Sequence, residues 1–347
     1  MPTIKPAGGR NPISMISKIR ILLPLNVLLF SVAAFGQQPK PQATPTPAPP
    51  ESPDQRVEVT VRRVRLPITV VDKKGQFVPG LTQSDFEIFE DRIPQQIDSF
   101  TSEENNKLPL YIAVLMDTSP STAGKLKFEQ ESAMNFIQTV VRPRKDRVLF
   151  ATFDHEITLR QDFTDRLELL DRAVFSVKKT GEKTALYDAI WQFCDEKMRS
   201  AQGRRALVII TDGDDTYSRA DINDAIDIAQ RTETTIYAIS TKAGLSSVVP
   251  GVEAGTVKDR GDKDLERLAS ETGGVAFFTG DMLALERSFG KIAAELRSQY
   301  LITYRPVNDR YDGSYRRVDV KLTGSNEKYK LRTKRGYTAV ADAVIQK

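Results

Sequence analysis

Two carboxylates and three hydroxyls stand where the chain can bring them to one point. They are Asp117, Ser119, Ser121, Thr184 and Asp212. The spacing Asp-x-Ser-x-Ser alternates three oxygen side chains through one turn, directly after an apolar run. Thr184 precedes a predicted helix, and Asp212 follows a second apolar run. Three separate loops therefore offer oxygen ligands.

This set of side chains suits a hard divalent cation. Carboxylate and hydroxyl oxygens favour Mg²⁺ or Mn²⁺ over Zn²⁺. Hydroxyl ligands are neutral, so they leave the ion electrophilic, with water in any open position. The natural ligand from outside is a carboxylate of an Asp or Glu on a partner protein. The predicted chemistry is therefore binding and not catalysis.

Each of these residues has a simpler explanation when it is taken alone. Asp-x-Ser-x-Ser before a helix is also a capping pattern, and Thr184 could cap the helix that follows it. Asp212 before Gly213 is typical of a turn. Their joint order on alternating strands and helices favours the metal site. Asp214 and Asp215 are interpreted as solvated loop residues.

Strand and helix patterns alternate over residues 108–298. Strands are predicted at Leu110–Met116, Arg147–Phe153, Ala206–Thr211, Thr235–Ser240 and Val275–Phe278. Helices are predicted at Lys125–Val141, Arg166–Ser176, Ala185–Arg199, Ala220–Arg231, Asp264–Thr272 and Met282–Ser298. Continuous apolar strands are typical of burial on both faces. The pattern predicts an α/β fold with a doubly wound, mainly parallel sheet, whose ligands bind beyond the carboxyl ends of the strands.

Short strand patterns with a period of two flank this domain on both sides. They cover residues 56–107 and residues 299–340. Each segment alone would make a poor sheet. We infer that the two segments pair into one β-sandwich-like module into which the α/β domain is inserted, although the pattern alone does not prescribe that pairing.

The N-terminal residues 1–36 are interpreted as a signal peptide. A basic stretch ends at Arg20, an apolar run follows from Ile21 to Phe35, and Ala34 and Gly36 are small residues at the cleavage positions. The alternative is an uncleaved membrane anchor. Residues 37–55 form a Pro-rich linker. The expected location is the periplasm, the cell surface or the medium, with no stable membrane span after cleavage.

The charge gives no indication of a nucleic-acid-binding protein, and the cysteine content excludes a protein with an intrachain disulfide. The sequence has 50 Lys and Arg residues against 46 Asp and Glu residues, and four of the basic residues lie within the first 36 positions. The remainder is formally neutral, so nothing indicates a nucleic-acid partner. Cys194 is the single cysteine of the 347 residues, which excludes an intrachain disulfide. A buried place in a helix is expected for it.

The segment from about residue 108 to residue 298 resembles a von Willebrand factor A-type (VWA) domain. The Asp117-x-Ser119-x-Ser121 run, Thr184 and the Thr211-Asp212-Gly213 step resemble its metal-ion-dependent adhesion site. The resemblance implies Mg²⁺ bound directly by the hydroxyls of the two Ser and the Thr, with both Asp acting mainly through water. The flanks, Leu81–Asp91 and Arg335-Gly336-Tyr337, resemble exported bacterial VWFA-related proteins.

Two other functions compete with metal-dependent binding. An enzyme is not expected, because His155 is the single histidine and neither a Gly-x-Ser-x-Gly elbow nor a phosphate loop occurs. A hydrolase with an Asp nucleophile would want a second Asp where the chain has Ser119. The other alternative is a structural scaffold with a silent metal site that binds through the β module. The sequence favours an exported adhesion or scaffold module whose divalent ion accepts a partner carboxylate.

Overall fold

The computed structural model describes residues 63–102, 108–122, 124–241, 259–278 and 282–340. The predicted signal segment, the Pro-rich linker and residues 56–62 of the first β segment lie outside this range. Within the described part, no helix has the length and apolar character needed to cross a membrane.

The strands of the N-terminal β segment and of the α/β domain are described first. They are β1 (Val64–Val71), β2 (Phe86–Glu90), β3 (Ile93–Gln95), β4 (Ile97–Thr101), β5 (Leu110–Asp117), β6 (Arg147–Phe153), β7 (Ile157–Thr164), β8 (Arg204–Thr211), β9 (Thr234–Ser240) and β10 (Ala276–Phe278). The C-terminal β segment contains β11 (Tyr300–Tyr304), β12 (Tyr315–Leu322), β13 (Lys330–Arg332) and β14 (Gly336–Thr338).

The described α-helices all lie within the α/β domain. They are α1 (Leu126–Val140), α2 (Leu167–Phe175), α3 (Leu186–Phe193), α4 (Ile222–Arg231), α5 (Arg260–Thr272) and α6 (Met282–Ser298). One turn of π-helix, Cys194–Met198, continues α3. Cys194 is buried there, as expected. Helix α5 begins four residues before its predicted start because the Asp259 side chain accepts a hydrogen bond from the backbone of Asp262 and caps it.

The α/β domain is built on a six-stranded sheet with the order β10-β9-β8-β5-β6-β7. All neighbours are parallel except β6 and β7. Helices α1, α2 and α6 contribute to the core on one face, and α3, α4 and α5 contribute to the core on the other. The predicted doubly wound, mainly parallel sheet is confirmed. The carboxyl ends of β5 and β8, which are neighbours, place Asp117 and Thr211 side by side.

Strand β7 has no counterpart in the sequence prediction. It pairs antiparallel with β6 at the edge of the sheet, and its residues are half-buried or exposed. Its apolar side chains at Ile157, Leu159 and Phe163 are interrupted by charged residues. An edge strand of this kind lacks the continuous apolar run that marks the central strands.

The two flanking β segments pair with each other in two four-stranded antiparallel sheets. Their orders are β13-β1-β11-β4 and β14-β12-β2-β3. Strand β1 pairs with β11, and β2 pairs with β12. A common core includes Leu66, Ile68, Phe86, Tyr300 and Val318. The inferred pairing is therefore present, and the α/β domain lies in the chain between β4 and β11.

A buried carboxylate connects the α/β domain to the β module. Glu295 of α6 accepts hydrogen bonds from Thr69 of β1 (3.2 Å) and from Tyr237 of β9 (3.2 Å). Arg332 of β13 donates to its other oxygen at 2.6 Å. Burial raises the pKa of Glu295, although Arg332 opposes that shift. This one side chain thus connects α6 to β9 of the same domain and to β1 and β13 of the β module.

Candidate metal centre

Asp117, the last residue of β5, is fully buried. Its Oδ1 accepts a hydrogen bond from the Ser119 backbone at 2.8 Å, and its Oδ2 accepts one from the Thr211 hydroxyl at 2.5 Å. Burial raises the pKa of Asp117 to about 6, against the lowering effect of these hydrogen bonds. The charge of Asp212 also raises it. The carboxylate therefore connects the ends of two adjacent strands and lies close to a second acid.

The two serine hydroxyls of the Asp-x-Ser-x-Ser loop face each other. The Oγ atoms of Ser119 and Ser121 are 3.0 Å apart. Ser119 is buried and Ser121 is exposed. A short 3-10 turn at Pro120–Thr122 holds the loop, and Thr122 donates from its backbone and its hydroxyl to the Ser119 carbonyl. Among the described residues no side chain caps α1, so the structure does not support the capping explanation for this loop.

The loop of Thr184 is attached to both other loops through its backbone. The Thr184 N–H donates to the Thr216 hydroxyl at 3.0 Å, and its carbonyl accepts from Thr216 and Tyr217 at 2.9 Å each. Gly181 donates to the Thr118 carbonyl at 2.7 Å. Thr184 is buried. Its side chain makes none of these bonds, so the hydroxyl is available as a ligand.

Asp215, and not Thr184, caps helix α3. Its Oδ1 accepts hydrogen bonds from the backbones of Leu186 (2.8 Å) and Tyr187 (3.3 Å) and from the Ser218 hydroxyl (2.6 Å). The interpretation of Asp215 as a solvated loop residue is therefore wrong. The physical reason is that the unpaired N–H groups at the start of α3 need an acceptor. Asp214 is exposed, as expected.

Asp212 is buried, and its Oδ1 has no hydrogen-bond partner within the described residues. The next residue, Gly213, has φ +85° and donates its N–H to the Thr211 hydroxyl at 3.0 Å. A carboxylate oxygen buried without a partner is costly. A cation would remove that cost.

Replacing Gly213 with Ala is expected to destabilise the protein by about 1–3 kcal/mol, because φ is positive and the backbone would be strained. An added Cβ would also lie 2.8 Å from the Gly261 carbonyl oxygen. Chemical denaturation measures the loss. Gly290→Ala is the matched control, since nothing lies within 4 Å of its added Cβ. An equal effect of both changes would contradict the assigned constraint.

Glu129 of α1 is a third buried acid near this point, and the sequence analysis did not identify it. Its Oε1 accepts a hydrogen bond from the Thr241 hydroxyl at 3.0 Å, while its Oε2 has no partner within the described residues. Burial raises its pKa to about 8, and the negative charges of Asp117 and Asp212 add to that shift. The signal that could have found it is an acid on the apolar face of α1, in line with Ala133, Phe136 and Val140.

The residues present fit a divalent cation. The hydroxyls and carboxylates are hard oxygen donors, and the unpartnered oxygen of Asp212 lies where a positive charge would stabilise it. No group of three or more His, Cys, Asp or Glu side chains in the described ranges is arranged to hold a metal ion. A site at this point would thus depend on the hydroxyls of Ser119, Ser121 and Thr184.

The family model of the von Willebrand factor type A domain matches residues 112–291. The chain belongs to this family. The matched range contains all five of the predicted site residues, and the resemblance seen in the sequence is confirmed. A search of curated proteins found no match to the chain.

Solved structures of VWA-type proteins are similar to this chain at low sequence identity. An aerotolerance-related membrane protein from Bacteroides fragilis is 16% identical, with a TM-score of 0.44, over 54% of this chain and 98% of that one. A von Willebrand factor type A protein from Catenulispora acidiphila is 12% identical, with a TM-score of 0.44, over 76% of each chain. The vWF domain of a type V pili tip protein from Porphyromonas gingivalis is 18% identical, with a TM-score of 0.29, over 32% of this chain and 40% of that one.

Proposed function

We propose that this protein is an exported protein-binding module whose VWA domain holds Mg²⁺ or Mn²⁺ and uses it to accept a carboxylate from a partner protein. The observation that carries the proposal is the arrangement around Asp117. The paired hydroxyls of Ser119 and Ser121 lie beside this buried acid, and Asp212 keeps a buried carboxylate oxygen without a partner in the described residues.

In this proposal Ser119, Ser121 and Thr184 hold the ion directly, and Asp117 and Asp212 act mainly through water. The bound ion would supply a positive charge with an open position for an oxygen ligand. Neutral hydroxyl ligands leave that charge largely uncancelled, so an Asp or Glu of a partner is the favoured ligand. The protein contributes the rigid loops, because hydrogen bonds fix all three of them.

The surface beside Thr184 suits an acidic partner. Tyr217 and Lys183 are both exposed, and the Lys183 ammonium lies 4.3 Å from the centre of the Tyr217 ring. Tyr217 is bound through its backbone to the Thr184 carbonyl. Aromatic residues are common in the contact surfaces of protein complexes. A positive charge next to the site would attract a second acid of the partner.

Export is proposed from residues 1–36, which lie outside the described part of the chain. We do not propose an enzyme, because His155 is the single histidine of the sequence and its Nδ1 lies 2.8 Å from Asp154 Oδ1.

The alternative function is a scaffold that binds without metal through the β module, where a groove is lined by Phe89, Pro94 and Gln96. Metal-independent binding would favour that alternative.

Ser121→Ala is expected to reduce retention of partner proteins by at least about 10-fold, which corresponds to roughly 1.4 kcal/mol, because the ion loses one of its ligands. The measurement passes cell-envelope proteins over the immobilised protein in Mg²⁺ and then in EDTA. Ser200→Ala is the control, because Ser200 is also exposed and its hydroxyl bonds, among the described residues, only to the Lys197 carbonyl. Retention that survives EDTA and Ser121→Ala would point to the scaffold function.

A further inference from the structure

Glu129 is buried in surroundings that hold more negative than positive charge. It has no exposed surface, and the charges of Asp117 and Asp212 both act on it. The positive charge of Lys125 opposes their effect, and its ammonium donates to the Thr241 carbonyl at 3.1 Å. A carboxylate buried in this way stays ionised at low cost only where a compensating charge is close to it.

A purely structural role does not explain why this residue is an acid. The bond from Thr241 uses one oxygen of Glu129, and a Gln side chain could accept the same bond. The other oxygen, Oε2, is buried without a partner in the described residues. A buried polar atom without a partner calls for a specific explanation, and a cation close enough to stabilise its charge is one. Asp212 has the same feature on the neighbouring loop.

We propose that Glu129 is a positioning residue of the metal centre, whose negative charge raises the affinity of the site for a divalent cation without a bond to the ion. This inference rests on the proposed function. Two unit charges attract strongly in a buried environment even when they are not in contact. Glu129 also holds Thr241 at the end of β9. Glu129 lies on α1, the helix that directly follows the Asp-x-Ser-x-Ser loop, so its charge is held close to the proposed ion.

The experiment measures Mg²⁺ affinity of the full-length protein by isothermal titration calorimetry at pH 8.5, above the raised pKa of Glu129, so that its carboxylate is charged. Glu129→Gln keeps the shape and the bond from Thr241 but removes the charge. We expect the dissociation constant for Mg²⁺ to rise roughly 10- to 100-fold, the range for residues that act around a metal site without binding the ion. Glu131→Gln is the matched control on the same helix. Glu131 is half exposed and pairs with Lys127 at 3.8 Å, so its replacement should leave the affinity unchanged.

Two further measurements separate the electrostatic role from a structural one. In EDTA, Glu129→Gln should unfold at a temperature equal to or above that of the wild type, because it removes a buried acid. Glu129→Asp keeps the charge and should bind Mg²⁺ more tightly than Glu129→Gln does. An unchanged Mg²⁺ affinity in Glu129→Gln would overturn the inference, as would equal destabilisation with and without Mg²⁺. Absence of Mg²⁺ binding by the wild type would instead overturn the proposed function.

Discussion

Replacing Glu90 with Ala is expected to lower the free energy of unfolding by about 3–5 kcal/mol. Glu90 is buried in the β module, and its Oε2 accepts hydrogen bonds from the hydroxyls of Tyr304 (2.7 Å) and Tyr337 (2.6 Å). The change leaves two buried hydroxyls without an acceptor, each at a cost of about 1–3 kcal/mol. It also leaves a cavity. Guanidinium chloride denaturation measures the loss.

The large effect follows from the position of Glu90 in the chain. It lies on β2, whereas Tyr304 ends β11 in the other sheet and Tyr337 lies on β14. One carboxylate therefore holds three segments that are far apart in sequence. Burial raises the pKa of Tyr304 above its ordinary value, so its hydroxyl remains a donor. Loss of this acceptor weakens the contact between the two sheets.

Two controls calibrate the Glu90 result. Glu87→Ala removes an exposed acid from the same strand and should change the stability by less than about 0.5 kcal/mol. Tyr337→Phe removes one of the two donors and should cost about 1 kcal/mol. If Glu90→Ala costs no more than Glu87→Ala, the buried carboxylate does not hold the β module together.

Saturating Mg²⁺ is expected to raise the unfolding midpoint by about 5–10 °C over the value in EDTA. An ion at 100 times its dissociation constant adds roughly 2.7 kcal/mol, and each kcal/mol moves the midpoint of such a domain by about 2–4 °C. The physical source is the compensation of buried negative charge by the ion. Burial first, and then repulsion between the acids, raises the pKa values of Asp117 and Glu129. Thermal unfolding followed by circular dichroism measures the shift.

Asp117→Asn tests the origin of that shift. Asn can still accept the bond from the Ser119 backbone and fits the same space, so the fold should be retained. The variant should lose most of the rise with Mg²⁺ because one carboxylate of the site is gone. A full shift in Asp117→Asn would locate the stabilising ion elsewhere in the protein.

The central sheet could be predicted from the sequence because its strands carry a strong local signal. Strands β5 and β8 are continuous apolar runs, and each is buried along almost its whole length. Strand β7 could not be found in this way, since it is a polar edge strand whose residues are all half-buried or exposed. The central strands are thus visible from composition alone, whereas an edge strand depends on its neighbour.

The internal arrangement of the β module depends on contacts that no local pattern specifies. Pairing of β1 with β11 joins Leu66 to Ile302. The bonds of Glu90 reach 214 and 247 residues along the chain. The alternation of apolar residues predicts that these strands exist. The choice of partners follows from packing in three dimensions, so an acid inside this core could not be anticipated.

The sequence predicts those residues of the candidate site that lie directly after strands. Asp117 and Asp212 follow apolar runs, and the order of the loops then implies that they meet. Glu129 was missed because it lies within a helix, where an acid is ordinarily exposed. Asp215 was misinterpreted because its capping bond depends on where α3 begins.

Binding of Mn²⁺, followed by electron paramagnetic resonance of the free ion, tests the central claim most directly. Thr184→Ala is the decisive variant, because every bond that fixes this loop at Thr184 comes from its backbone and the hydroxyl alone is removed. Thr139→Ala is the control, since Thr139 is exposed and its hydroxyl, among the described residues, donates to the Asn135 carbonyl alone. The proposed site predicts a single Mn²⁺ bound by the wild type and by Thr139→Ala, with affinity reduced at least about 10-fold in Thr184→Ala. No binding by the wild type, or equal binding by all three proteins, would contradict it.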